Sequence, residues 1–186
     1  MRSGTPPVPM AASDDYLRTV GALAGALEEQ GFEPVLVGGM ALVLMGSQRV
    51  TRDFDILVST QGPPTEKLMR LMYHHRLEMV TKFTPAGEVK RTVDNVRIAV
   101  AKLKTEKPPS LFFCNQRTGL RVDLLLDFPL PAHPVARRAG KVKFGSGGIR
   151  VASPEDLLQL KEIAYADRRS ASDAQDLEFL RRMLQG

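Results

Sequence analysis

The short apolar run Pro34-Val-Leu-Val37 halts at Gly38-Gly39, gives way to the helix-prone stretch Met40 to Met45, and is answered after Gly46 by Asp53-Phe-Asp-Ile-Leu-Val58. This spacing leaves little freedom. A continuous apolar run bounded by glycine predicts a buried strand, so the segment reads as strand, glycine turn, short helix and second strand. Strand alternation puts Phe54, Ile56 and Val58 on one face and Asp53 and Asp55 on the other. An unpaired carboxylate such as Asp55 within an apolar strand is costly, so a compensating ligand is expected there.

The rest of the chain builds around this unit. Residues 1–12, with Pro6, Pro7 and Pro9, read as a flexible leader. Ser13 reads as the cap of an amphipathic helix through Leu17, Val20, Leu23, Ala24 and Leu27, ending near Gly31. Thr65 to Arg76 has helical spacing, whereas Val89 to Leu103 fits helix and strand equally and stays open. Leu111–Asn115 and Leu120–Asp127, bridged by Gln116-Arg-Thr-Gly119, predict a β-hairpin with Asp123 in its second strand. Gly145-Ser-Gly-Gly148 also reads as a hairpin turn, since no Gly-Lys-Ser/Thr follows it. Ser153-Pro-Glu-Asp156 is a helix start with cap, proline and acidic first turn; a last helix runs through Leu177, Leu180 and Leu184. The expected fold is α/β (α+β), a mixed twisted sheet flanked by helices. Residues 13–150 form the core, and 151–186 a C-terminal helical pair packed on it.

If the three strands lie side by side, Asp53, Asp55 and Asp123 repel one another unless a hard cation neutralises them, and Mg²⁺ favours such oxygen ligands together with substrate phosphates. Gly38 and Gly39 leave the backbone N–H groups at a helix start open to phosphate oxygens. Phosphoryl or nucleotidyl transfer with two ions follows, with Mn²⁺ as a substitute and an NTP as substrate. Asp127 is the rival third carboxylate, but it precedes Phe128-Pro129 and reads as strand end, so Asp123 is preferred. Asp53 could instead pair with Arg49 or Arg52, and Ser47 or Thr51 could supply a hydroxyl to a phosphate.

The run from Val37 to Val58 resembles the defining motif of the DNA polymerase beta-like nucleotidyltransferase superfamily, and Arg121-Val-Asp-Leu-Leu125 resembles its later strand with the third carboxylate. Ser153 to Lys161, Arg168 or Arg169, and Asp173-Ala-Gln-Asp-Leu177 are similar to the tail of a minimal bacterial branch that includes abortive-infection type toxins of type IV toxin–antitoxin systems. The second turn residue is Gly39 where a serine is frequent. The resemblance implies Asp53, Asp55 and Asp123 as catalytic metal ligands. It sets Lys161 against the nucleotide phosphates and Asp173 or Asp176 near the cleft, with Arg49 a further candidate. It also implies an RNA acceptor such as tRNA and a neutralising antitoxin partner. A small-molecule acceptor such as an aminoglycoside, or a non-catalytic nucleotide-binding module, are the alternatives.

Other chemistries find less support. The single cysteine, Cys114, excludes an internal disulfide and starves a Cys-based zinc site. His74 and His75 diverge by about 100° on a helix and cannot chelate together, and His133, read as lying in a loop between Ala132 and Pro134, lacks a serine or cysteine partner. No apolar run approaches the roughly 18 residues a membrane span needs, so a cytoplasmic protein is expected. A net charge of +5 permits phosphate-bearing partners and mildly disfavours a polycationic acceptor. Lys102, Lys104, Lys107 and the set Arg137, Arg138, Lys141, Lys143 are candidate RNA-backbone contacts that surface solvation explains equally well.

Overall fold

The computed structural model describes residues 10–144 and 147–186; most of the expected leader and the first half of the Gly145–Gly148 turn lie outside them. In chain order the elements are α1 (Met10–Glu29), β1 (Val35–Val37), α2 (Gly38–Leu44), β2 (Asp53–Val58), α3 (Thr65–His74), β3 (Glu78–Phe83), β4 (Val89–Val93), α4 (Val96–Glu106), β5 (Ser110–Cys114), β6 (Arg121–Leu126), α5 (Ala132–Arg138), β7 (Gly140–Phe144), β8 (Gly147–Val151), α6 (Pro154–Arg168) and α7 (Ala171–Gln185). The strands form one mixed sheet in the order β4-β3-β5-β6-β2-β1-β8-β7. The α/β class and the C-terminal helical pair expected from the sequence are both present.

Central placement follows from composition. β1, β2 and β6 each carry a run of three consecutive apolar residues, and β2 lies between β1, antiparallel, and β6, parallel. Their inward residues Leu36, Phe54, Ile56, Val122 and Leu124 are fully buried, joined by Val20, Leu23 and Leu27 of α1. α1 starts at Met10 rather than after a Ser13 cap, in keeping with the high helix propensity of Ala11 and Ala12. The region left open between 89 and 103 contains both candidates in sequence. Asn95 ends the β4 strand and caps α4, its Oδ1 accepting from the backbone N–H of Arg97 and Ile98 at 2.9 and 3.4 Å. β3 and α5 are additions; His133, expected in a loop, lies in α5.

Serine caps set off the tail. Ser153 accepts from the N–H of Asp156 at 3.2 Å and starts α6; Ser170 accepts from the N–H of Asp173 at 3.1 Å and starts α7. Arg138 of α5 clamps the buried Asp156 through two nitrogens at 3.0 and 2.5 Å. The basic clusters are largely engaged: Lys102 with Glu106, Lys104 with Glu66, and Lys141 with Glu28. No helix among the described residues is long and apolar enough to cross a membrane. Leu124→Ala, which opens a cavity in the central strand, is expected to cost about 2–5 kcal/mol, read as a lowered midpoint in urea denaturation at unchanged slope.

Candidate active site

Sheet register assembles the site. Asp55 of β2 is the Cα partner of Asp123 in β6, Asp53 is the partner of Arg121 on the same ladder, and Val37, one residue before the glycine turn, is the partner of Asp55. Residues paired in register share a face. Asp53, Asp55 and Asp123 therefore stand on one side of the sheet beside the start of α2. Asp127 does not join them. It leaves the strand at φ +50° and accepts from the N–H groups of Thr60 and Ala132 at 2.7 and 2.8 Å, tying the end of β2 to α5. Burial pushes its carboxyl up, but these bonds outweigh that and hold it below the usual range.

Gly38 is required twice over. Its φ is +67°, and a Cβ there would overlap the Asp55 carboxylate, so no L side chain fits either the backbone or the space. At Gly39 an added Cβ would come within 2.9 Å of Cζ of Arg49. The missing serine hydroxyl is thus replaced by a guanidinium lying against the turn.

The carboxylates are electrostatically loaded. Desolvation, with repulsion from Asp55 and Asp53, pushes the Asp123 carboxyl up to about 8, against the pull of Arg121. Desolvation and repulsion from Asp53 push Asp55 up to about 6, although Lys161, Arg49 and Arg168 draw it down. Among the described residues none of the three carboxylates holds a hydrogen bond or an ion pair within 4 Å, and no ready-made cage of three metal-ligating side chains is present. Acidic oxygens without partners, raised by mutual repulsion, fit a divalent cation.

Opposite the strands stands a chain of charges, buried at Lys161, Asp173 and Asp176 and open to solvent at Arg168. Lys161 of α6 bonds Asp173 at 3.2 Å and Asp176 at 2.7 Å. Asp176 pairs with Arg49, and Asp173 pairs with Arg168 at 3.2 Å. Burial raises the Asp173 carboxyl, but the Ser170 hydroxyl and Lys161 overcome this and hold it low. Lys161 thus lies on the cleft while already held by two aspartates, and Arg49 pairs with Asp176 instead of Asp53. Ser47 and Thr51 do not line the cleft; Ser47 Oγ accepts from the N–H of Arg49 at 3.4 Å.

Between α6 and the strands lies a cleft of about 510 Å³, bounded at its polar end by Gly38, Asp55, Lys161 and Arg168 and elsewhere by Leu125, Phe128, Pro129, Leu157, Leu160 and Ile163. Phe128, 51% exposed, and Ile163, 39% exposed, carried no local signal in the sequence. Phe128 sits just past a strand end and Ile163 off the main apolar stripe of its helix. Asp53 and Asp123 border the open side of Asp55 and do not line the cleft.

Two outcomes test this geometry. Gly38→Ala forces both strain and overlap and is expected to cost about 2–4 kcal/mol, read by chemical denaturation. The acidic pair also gives the metal-free protein a signed pH dependence. Folded-state values of about 6 and 8 for Asp55 and Asp123, above the ordinary 3.8, mean that the folded protein binds protons more tightly than the unfolded chain. Their stabilising contribution is full below pH 4 and is lost as pH rises toward 8. Asp123→Asn should therefore melt about 2–8 °C above the parent near pH 8 in chelator, with the gap closing toward pH 4.

Residues 21–185 match the family model described as nucleotidyl transferase AbiEii toxin, type IV TA system. Among solved structures, the fold is similar to an antigenic nucleotidyltransferase-like protein from Paracoccidioides brasiliensis, with TM-score 0.54 and 16% identity over 90% of this chain and 76% of that one. It is also similar to the lincosamide antibiotic adenylyltransferase LnuA in its lincomycin-bound form, with TM-score 0.52 and 15% identity over 88% of this chain and 95% of that one. No curated protein matches in sequence.

Proposed function

We propose, from the premise that this chain belongs to the AbiEii nucleotidyl transferase toxin family of type IV toxin–antitoxin systems, that it transfers an NMP from an NTP to a hydroxyl of an RNA acceptor such as tRNA. The observation that carries the transfer chemistry is the register pair Asp55–Asp123, with Asp53 alongside and Gly38 in contact with Asp55.

Asp53, Asp55 and Asp123 would hold Mg²⁺, as one or two ions with Mn²⁺ as a substitute, which when bound offsets their repulsion and the charge of the triphosphate. The nucleotide occupies the cleft. Gly38 and Gly39 bring backbone N–H groups to the phosphates, and Lys161 adds positive charge from across the cleft while Asp173 and Asp176 fix its position. The apolar wall of Leu125, Phe128 and Ile163 takes the sugar and base. Asp123, on the side away from Gly38, takes the proton of the acceptor hydroxyl as its oxygen bonds to the α-phosphorus and the bond to pyrophosphate breaks. A cytoplasmic enzyme held in check by an antitoxin fits this reading and the family.

The net charge of +5 favours an RNA over a cationic small molecule as acceptor. Asp53→Ala and Asp55→Ala are each expected to lower transfer of labelled NMP to pooled tRNA by about 10³-fold or more, with the fold intact by circular dichroism. Transfer retained by the double variant refutes the reading, transfer to an aminoglycoside alone selects the small-molecule enzyme, and Mg²⁺–NTP binding by calorimetry without transfer to any acceptor selects the non-catalytic module.

A further inference from the structure

We infer that Phe112 and Phe83 form a stacking platform for an unpaired nucleotide at the acceptor end of the RNA, on the side of Asp123 away from the nucleotide cleft. The inference rests on the transfer reading above and extends it to how the acceptor is held. Phe112 is the antiparallel Cα partner of Asp123, which is itself the partner of Asp55. One row across three strands thus runs aromatic ring, carboxylate, carboxylate on a single face. The ring of Phe83 meets that of Phe112 edge to face, with centroids 5.4 Å apart. Two register shifts in β3, between Val80 and Lys82 and between Lys82 and Phe83, interrupt the alternation just where Phe83 turns to that ring.

An aromatic pair of this kind is ordinarily buried, yet each ring is 38% exposed. What it lies beside identifies the occupant. Beside the rings, on the same face of the sheet, stands Asp123, the register partner of Phe112. Exposed aromatic faces beside a carboxylate of the transfer site suit a single-stranded nucleic acid, whose unpaired bases stack on them. A duplex, with its bases already stacked, gains nothing from the rings. The platform borders the one site carboxylate that lies toward the acceptor side, so a terminal base stacked there brings its ribose hydroxyls to Asp123.

The test uses a fluorescein-labelled hairpin RNA with an unpaired 3′ end and the same hairpin with a blunt end, each read by fluorescence anisotropy. Binding of Mg²⁺–ATP, –GTP, –CTP and –UTP is followed in parallel by calorimetry. The full-length protein is expected to prefer the unpaired end, and the Phe83→Ala/Phe112→Ala double variant to bind it about tenfold or more weaker with NTP affinity unchanged. Phe112→Leu, which keeps apolar volume without a π-face, is expected to lose affinity as Phe112→Ala does, and Phe112→Tyr to restore it. Equal binding of blunt and unpaired ends, or full affinity in a double variant whose melting temperature matches the parent, overturns the platform. Absence of NTP binding in the parent protein overturns the transfer reading itself, whereas intact NTP binding with no RNA binding overturns the platform and the RNA acceptor but not the transfer chemistry.

Discussion

Two like charges placed opposite each other in a hydrogen-bonded sheet are the constraint around which this protein is arranged. Asp55 and Asp123 cannot separate, because the ladder between β2 and β6 fixes their register over six consecutive pairs. They cannot be shielded from one side either, since Gly38 leaves room for nothing but backbone against Asp55. Partial desolvation makes the repulsion more expensive. A fold that retains such an arrangement gives up stability at that point, the usual sign of a strained functional centre, and the deeply apolar strands on the opposite face supply the compensating burial.

The second organising element is the sequence of alternating charges from Arg49 through the buried Asp176, Lys161 and Asp173 to the exposed Arg168. As a contribution to stability such a chain is close to break-even, because the desolvation of each ion offsets its attraction to the next. Its value lies in position. It connects the loop after α2, the cleft face of α6 and the first turns of α7, three segments with no strand pairing between them. Arg49 is held against Gly39, and Lys161 is held over the cleft with its ammonium shared by two acceptors.

Much of the centre was legible because local pattern and long-range register agree there. The alternation in Asp53–Val58 and the hairpin around Gly119 each fix which face a residue takes, and the ladder then does the rest. The Ser153 start was equally clear, since cap, proline and acidic turn all act locally. What escaped is what depends on partners distant in the chain. That Lys161 would be held by two aspartates, one of which also holds Arg49, needs α7 folded back on the loop. The aromatic pair was invisible because nothing in Leu111-Phe-Phe-Cys tells which phenylalanine faces solvent until Asp123 is seen opposite Phe112. α5 escaped because Pro131 and Pro134 read as loop, though a proline near a helix start is no obstacle.

The acceptors that hold Lys161 and Arg49 both lie on α7, which emerges from the ribosome after every other element described here. Until then a nascent chain lacks the carboxylates of α7 that hold its two cleft cations. The electrostatic balance of the cleft therefore depends on the C-terminal helix.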